Sequence, residues 1–141
     1  DALPIYDWDI VVFYNIHEDD DYSKIQDFCN AQLVDMDVIN GMLDNVKGKV
    51  NNASHICNME KGVSYIFYNK FVTAADFWKL FPHEIGHVID YMSKKFGFDT
   101  ESASYVRGYL YQQLYLNSVI TDIQNAFLNP TADPLCQMKG A

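Results

Sequence analysis

The segment of residues 74–128 most constrains the fold, because two long helix patterns follow one another in it. The first pattern, over residues 74–96, has Thr73 at the position where a side-chain oxygen can cap the first turn. Gly97 follows its last turn, and glycine is the usual residue where a helix ends in the left-handed conformation. Pro82 lacks an N–H group and predicts an interruption within this helix.

The second pattern covers residues 101–128, with Thr100 as its predicted N-cap and an Asn-Pro pair at 129–130 as its stop. Two helices joined by a short turn lie side by side, so a helix pair is expected. Upstream, residues 9–16 and 62–69 are rich in β-branched and aromatic residues and predict buried strands. The sequence therefore predicts an α+β fold in which a small β-sheet packs against the helix pair.

The remaining segments complete one domain, residues 1–141, as the length of the chain suggests. Helical spacing of apolar residues predicts further helices over 22–33 and 38–46. A polar loop is expected over 47–61, and the Pro-containing tail at 130–141 is expected to be loose.

Charge and composition exclude several partners. The chain has 19 acidic and 10 basic residues and a net charge of -9, which repels a phosphate backbone and predicts no nucleic-acid partner. No run approaches the roughly 18 apolar residues of a spanning helix, so no membrane partner is expected. Cys29, Cys57 and Cys136 show no metal-ligand spacing and are expected to be free thiols in a reducing compartment. The N-terminus shows no secretory leader, and an already cleaved leader stays open as an alternative.

Residues 83–87 read His-Glu-Ile-Gly-His within the first predicted helix. Side chains four residues apart share a helix face, so the imidazoles of His83 and His87 can reach one metal ion. Glu84 lies next to that face, where it can take a proton from water activated by the metal. The pattern predicts a Zn²⁺ site, and its alternative is an amphipathic helix with partly exposed polar residues and no metal.

A catalytic zinc site needs a third protein ligand. The downstream histidine of the metzincin pattern is absent, because Asp90 and Ser93 stand at its Gly and His positions. The candidates are Asp90, Asp99 and Glu101. Asp90 is too near His87 to complete a tetrahedron and suits a hydrogen bond to that imidazole better. Glu101 begins the next helix, which can fold back against the motif, and is the favoured ligand.

Several stretches resemble a known family: residues 82–90, residues 101–105, the Gly-Tyr-Leu at 108–110 and the opening at 4–10. They resemble short gluzincin-type zinc peptidases, above all small HExxH proteins encoded by bacteriophages and by mobile elements of gut bacteria. Residues 17–60 carry no part of the resemblance.

The resemblance implies a zincin-type helix pair, in which the HExxH helix is followed by a Glu-bearing helix. It implies that His83, His87 and Glu101 are zinc ligands and that Glu84 is the general base.

Tyr105 departs from the larger gluzincins, in which an Asp at this position often orients a histidine. The departure leaves that role to another group, for which Asp90 is the candidate. Tyr105 lies one turn after Glu101 on the same helix face. It is expected either to donate a hydrogen bond to the oxyanion, as a catalytic residue, or to be an aromatic residue of the core.

Other polar residues receive structural interpretations. His17 and His55 are isolated in the sequence and are expected to be surface or structural residues. Arg107, the single arginine, is expected on the surface. The strand at 62–69 is expected to form the sheet edge beside which an extended substrate lies.

The motif and the resemblance favour zinc-dependent hydrolysis of a peptide or protein substrate, in the cytoplasm of a bacterial host cell. The rival hypothesis is a structural or assembly protein of a phage or mobile element, associated with the virion or an assembly partner, whose zinc is structural or vestigial. A peptidase that cleaves a regulator is disfavoured, because no DNA-binding segment is present.

Overall fold

The computed structural model describes residues 6–16, 27, 40–41, 53–69, 72–128 and 136–139. Within these ranges the α+β class predicted from the sequence is confirmed. The elements, in chain order, are β1 (Asp9–Ile16), β2 (Ala53–Asn58), β3 (Val63–Asn69), α1 (Ala74–Phe96), α2 (Thr100–Leu116), α3 (Val119–Leu128) and β4 (Cys136–Lys139).

The described strands form one sheet in the order β2-β3-β1-β4. β1 and β3 run parallel, with Val12 beside Ile66, whereas β2 and β4 pair antiparallel with their neighbours. β3 is therefore an interior strand, and the prediction that residues 62–69 form the sheet edge is wrong. The edge that packs against α1 is β2.

Both faces of the sheet are buried. Successive side chains of a strand point to opposite sides, and runs of consecutive residues in β1 and β3 are buried. One face packs on the helices through Ile10, Val12, Tyr14, Ile66 and Tyr68. On the other face Phe13 and Phe67 stack with their ring centroids 4.9 Å apart.

α1 is one continuous helix that begins and ends where the sequence predicts. Thr73 Oγ1 accepts a hydrogen bond of 3.1 Å from the backbone N–H of Asp76, and Gly97 ends the helix with φ 71. Pro82 lies inside the helix, so the predicted interruption is wrong. The free energy gained by burying apolar side chains exceeds the cost of the hydrogen bond that Pro82 cannot donate. α1 buries a stripe of large apolar side chains on both sides of the proline: Phe77, Phe81, Ile85, Val88 and Met92.

The second predicted helix is divided in two. Its N-cap is Asp99 rather than Thr100, because the Asp99 carboxylate accepts a 2.8 Å hydrogen bond from the N–H of Ser102. α2 ends at Leu116, and Ser118 adopts φ 62 before α3 begins. Among the described helices, none combines the length and apolarity needed to cross a membrane.

Two segments expected to be irregular contain strands. β2 lies within the predicted loop at 47–61, and β4 lies within the tail at 130–141 that was expected to be loose. Of the predicted helices over 22–33 and 38–46, the described residues are Asp27, Asn40 and Gly41, all helical. The rest of both predictions lies outside the described residues.

The turn between β2 and β3 joins three elements at one end of the molecule. Gly62 adopts φ 72, and its carbonyl accepts a 2.8 Å hydrogen bond from the N–H of Asp9 at the start of β1. Lys95, near the end of α1, donates hydrogen bonds of 2.7 and 3.1 Å to the carbonyls of Met59 and Glu60.

Candidate metal centre

The two histidines of the motif converge on the exposed side of α1. Their Nε2 atoms are 3.0 Å apart, with ring centroids 4.6 Å apart and planes nearly perpendicular. Two imidazole nitrogens bound to one tetrahedral zinc lie roughly 3.3 Å apart, given Zn–N bonds of about 2.0–2.1 Å. The predicted pairing of His83 with His87 is therefore present, at a spacing close to the one a shared metal requires.

Glu84 lies on the inner side of the same turn, with 7% of its surface exposed. Burial raises the pKa of this carboxyl, and His87 and His83 oppose the rise. The hydroxyl of Tyr68, on β3, is buried and finds no hydrogen-bond partner in the described part of the chain. The pKa of Tyr68 is raised by burial and by the nearby charge of Glu84. Glu84 therefore lies between the histidine pair and the sheet.

An open cleft of about 330 Å³ lies where α1 and α2 meet. Its lining includes both histidines, Asp90 from α1, and Ala103 and Arg107 from α2. Asp90 thus lies on the side of α1 that carries the histidines, while its predicted hydrogen bond to His87 stays a prediction.

Arg107 is exposed but belongs to this cleft. A Cβ atom at Gly86 would lie 3.7 Å from its guanidinium, so the arginine covers the middle of the motif. The expectation of an ordinary surface arginine is incomplete, since the single arginine of the chain faces the candidate site.

The structure does not bring Glu101 to the histidines. Among the described residues, no three His, Cys, Asp or Glu side chains are grouped closely enough to hold a metal ion. α2 buries Val106, Leu110 and Leu114. At about 100° per residue, Glu101 lies roughly 180° around the helix from the middle of this stripe. This apolar i, i+4, i+8 spacing was visible in the sequence and could have placed Glu101 on the outer face.

Tyr105 is also away from the motif, with 52% of its surface exposed. It lines a different open cleft of about 310 Å³, together with Ser104, Gly108, Tyr109 and Gln112. Neither a catalytic position beside the histidines nor a core position is observed for this tyrosine. It shares the outer face of α2 with Glu101, as predicted.

His55, which the sequence treated as isolated, lies beside the motif. Its ring and that of His87 are nearly parallel, with centroids 6.3 Å apart, and the ring of Tyr91 is 5.6 Å away. Its Nε2 atom is buried and has no hydrogen-bond partner among the described residues. Burial, followed by the charge of His87, lowers the pKa of His55 to about 4. Sequence reasoning missed this residue because its segment was taken for a loop. His17 lies outside the described residues.

No protein-family model matches the chain, and neither a curated protein nor a solved structure matches it. The fold and the site define an α+β protein with a converged histidine pair on α1.

Proposed function

We propose that the chain is a zinc-dependent peptidase whose site is the cleft beside α1. The observation that carries the proposal is the convergence of the His83 and His87 Nε2 atoms, 3.0 Å apart, next to the buried carboxyl of Glu84. Imidazole nitrogens suit zinc, and a third imidazole nitrogen, the buried Nε2 of His55, lies on the neighbouring strand.

His83 and His87 would hold the metal, which, when bound, supplies Lewis-acid polarisation of a carbonyl and a lower pKa for water. Glu84 acts on the proton: its carboxylate accepts a proton from the attacking water and returns it to the leaving amine. Burial suits Glu84 to this task, because a raised pKa brings its proton affinity closer to neutral pH. Arg107 adds a positive charge on the α2 side of the cleft.

The substrate we propose is a peptide or protein segment in extended conformation. Among the described strands, β2 lies at the edge of the sheet and packs against α1, so a substrate strand can pair with that edge and pass the motif. The net charge of -9 is compatible with a somewhat basic substrate.

The test compares Glu84→Gln with Glu60→Gln, which changes an exposed glutamate in the β2–β3 turn. We expect native protein and both variants to hold about one zinc per chain, and His83→Ala/His87→Ala to hold none. Peptide-library cleavage, followed by mass spectrometry, should fall at least about 100-fold in Glu84→Gln and stay unchanged in Glu60→Gln. A native protein that binds no zinc would contradict the proposal.

The second candidate is a virion-associated structural or assembly protein of a phage or mobile element. The position of Glu101 and Tyr105 on the outer face of α2 favours it, because two expected parts of a peptidase site are then missing from the cleft. In that case Glu84→Gln changes neither zinc content nor any cleavage.

A further inference from the structure

We infer that the imidazole of His55, on edge strand β2, is the third protein ligand of the metal held by His83 and His87. This inference rests on the proposed function, because it assumes that zinc binds at the histidine pair. It assigns to His55 the role predicted for Glu101 from the motif and the resemblance.

The backbone directs His55 toward α1. Side chains two residues apart on a strand share a face. Ala53 and Cys57, the neighbours of His55 on its face, pack against the core between sheet and helices. The pairing of His55 with Ile66 fixes this register, since Ile66 is buried on the same face of the sheet.

The distances between the rings suit a shared metal. Two imidazoles on one tetrahedral zinc have ring centroids about 5 Å apart, from the Zn–N bond length and the tetrahedral angle. The centroid separations here are 4.6 Å for His83 with His87 and 6.3 Å for His55 with His87, which bracket that value. In the described conformation the three imidazoles are not yet grouped as a metal site, so metal binding would require the ring of His55 to move toward the pair.

The unpartnered nitrogen is the second observation. A buried polar atom without a hydrogen bond loses the free energy of its hydration, and such atoms are rare in native proteins. Nε2 of His55 is in this state beside the ring of His87, whose own Nε2 atom converges with that of His83. A metal ion between the three rings gives it the missing partner.

Of the other candidate ligands, Asp90 lines the same cleft but is too near His87 along α1 to complete a tetrahedron, and Glu101 and Cys57 are placed away from the pair. Glu101 is on the exposed side of α2, six residues or roughly 9 Å along the helix from the level of Arg107. Cys57 shares the face of His55, but two residues along a strand is about 7 Å, and the charge that acts on its thiol is that of Lys94. Lys94 is two turns beyond His87, so Cys57 lies toward the far end of α1.

Three neutral imidazoles leave the full charge of the zinc uncompensated, whereas a glutamate ligand cancels part of it. Arg107 adds to the positive charge of the metal, and Asp90 in the same lining offsets part of it, so the metal-loaded cleft is positive in a chain of strongly negative net charge. The fourth position of the metal would therefore favour anionic groups, including a substrate carboxylate or the developing oxyanion.

The experiment measures zinc affinity by competition with a chromophoric chelator for native protein, His55→Gln and the matched rival Glu101→Gln. We expect at least about 100-fold weaker zinc binding for His55→Gln. Removal of a metal ligand weakens binding more than removal of a residue that only orients a ligand by a hydrogen bond. Glu101→Gln should bind zinc like the native protein. Circular dichroism and thermal melting of the metal-free proteins separate ligand loss from misfolding.

A gain of signal provides the second arm. His55→Cys, loaded with Co²⁺, should restore binding and add the near-ultraviolet charge-transfer band of a cobalt–thiolate bond, with Glu101→Cys as its control. The inference is overturned if His55→Gln keeps native affinity, if Glu101→Gln loses affinity, or if the band appears for Glu101→Cys. In each of these cases the proposed function survives. If the native protein binds no zinc, both the inference about His55 and the proposed function are contradicted.

Discussion

At the scale of single residues, His55 shows how burial beside another histidine changes titration. Its pKa falls from the ordinary 6.5 to about 4, mainly because its ring is buried and further because of the charge of His87. Between these two values the unfolded chain binds a proton at this position and the folded chain does not. The folded state is therefore favoured above pH 6.5 and loses stability as the pH falls toward 4.

The corresponding prediction concerns the metal-free protein in the presence of a chelator. Acidification from pH 6.5 to 4 should lower its free energy of unfolding by an amount attributable to His55, no more than about 3 kcal/mol. His55→Gln should lack this part of the pH dependence in urea unfolding, whereas His83→Gln, which removes an exposed imidazole, should keep it. Parallel pH profiles of native protein and His55→Gln would show that His55 titrates normally.

At the scale of elements, the start of α2 depends on one exposed carboxylate. Asp99 accepts a 2.8 Å hydrogen bond from the N–H of Ser102, which lowers the pKa of Asp99 below its ordinary 3.8. A carboxyl with a lowered folded pKa stabilises the folded state above its unfolded pKa, and this contribution is lost as the pH falls through the folded value. The cap thus acts at neutral pH and disappears in strong acid.

We therefore expect Asp99→Ala to lower the melting temperature at pH 7, because the N-terminal N–H groups of α2 lose their acceptor. The difference from native protein should shrink below pH 3.8 and vanish once Asp99 is protonated in both states. Thr100→Ala is the matched control and should have little effect, although the sequence had assigned the cap to Thr100. A larger fall in melting temperature for Thr100→Ala than for Asp99→Ala would show that Thr100 is the N-cap.

At the scale of the whole molecule, the β2–β3 turn connects the sheet to the end of α1. Gly62 and Gly97 have almost the same left-handed conformation, with φ 72 and 71. A Cβ atom at Gly97 would meet no atom of the described residues within 4 Å, whereas one at Gly62 would overlap the carbonyl oxygen of Asp7. Of these two positions, Gly97 requires glycine only for its left-handed backbone conformation. Gly62 requires glycine for its backbone conformation and also for its close contact with Asp7.

Alanine at each glycine should separate these two effects. Gly97→Ala should cost about 1–2 kcal/mol of unfolding free energy, from left-handed strain alone. Gly62→Ala should cost at least about 1 kcal/mol more, because the lead-in to β1 must move and the Asp9 N–H···Gly62 hydrogen bond is disturbed. Denaturant unfolding of both variants gives the comparison, and equal losses would mean that the contact with Asp7 is easily relieved.

Local patterns predicted the elements whose signals lie within a few residues of one another. The caps at Thr73 and Gly97 set the bounds of α1, and the two apolar runs gave β1 and β3 to within a residue. The predicted interruption at Pro82 is wrong because the buried apolar stripe on both sides of the proline keeps the helix continuous against its low local helix propensity. β2 was missed because its polar sequence becomes a strand only through pairing with β3.

The sequence by itself determined the pairing of His83 with His87, since the i, i+4 geometry of a helix places both rings on one face regardless of the rest of the fold. The tertiary structure decided what else meets them. Burial of Val106, Leu110 and Leu114 rotates α2 so that Arg107 faces the cleft and Glu101 faces outward. The pairing of β2 with β3 brings His55 close to His87. The two residues are thirty-two positions apart in the sequence, so no helix or strand periodicity could have related them.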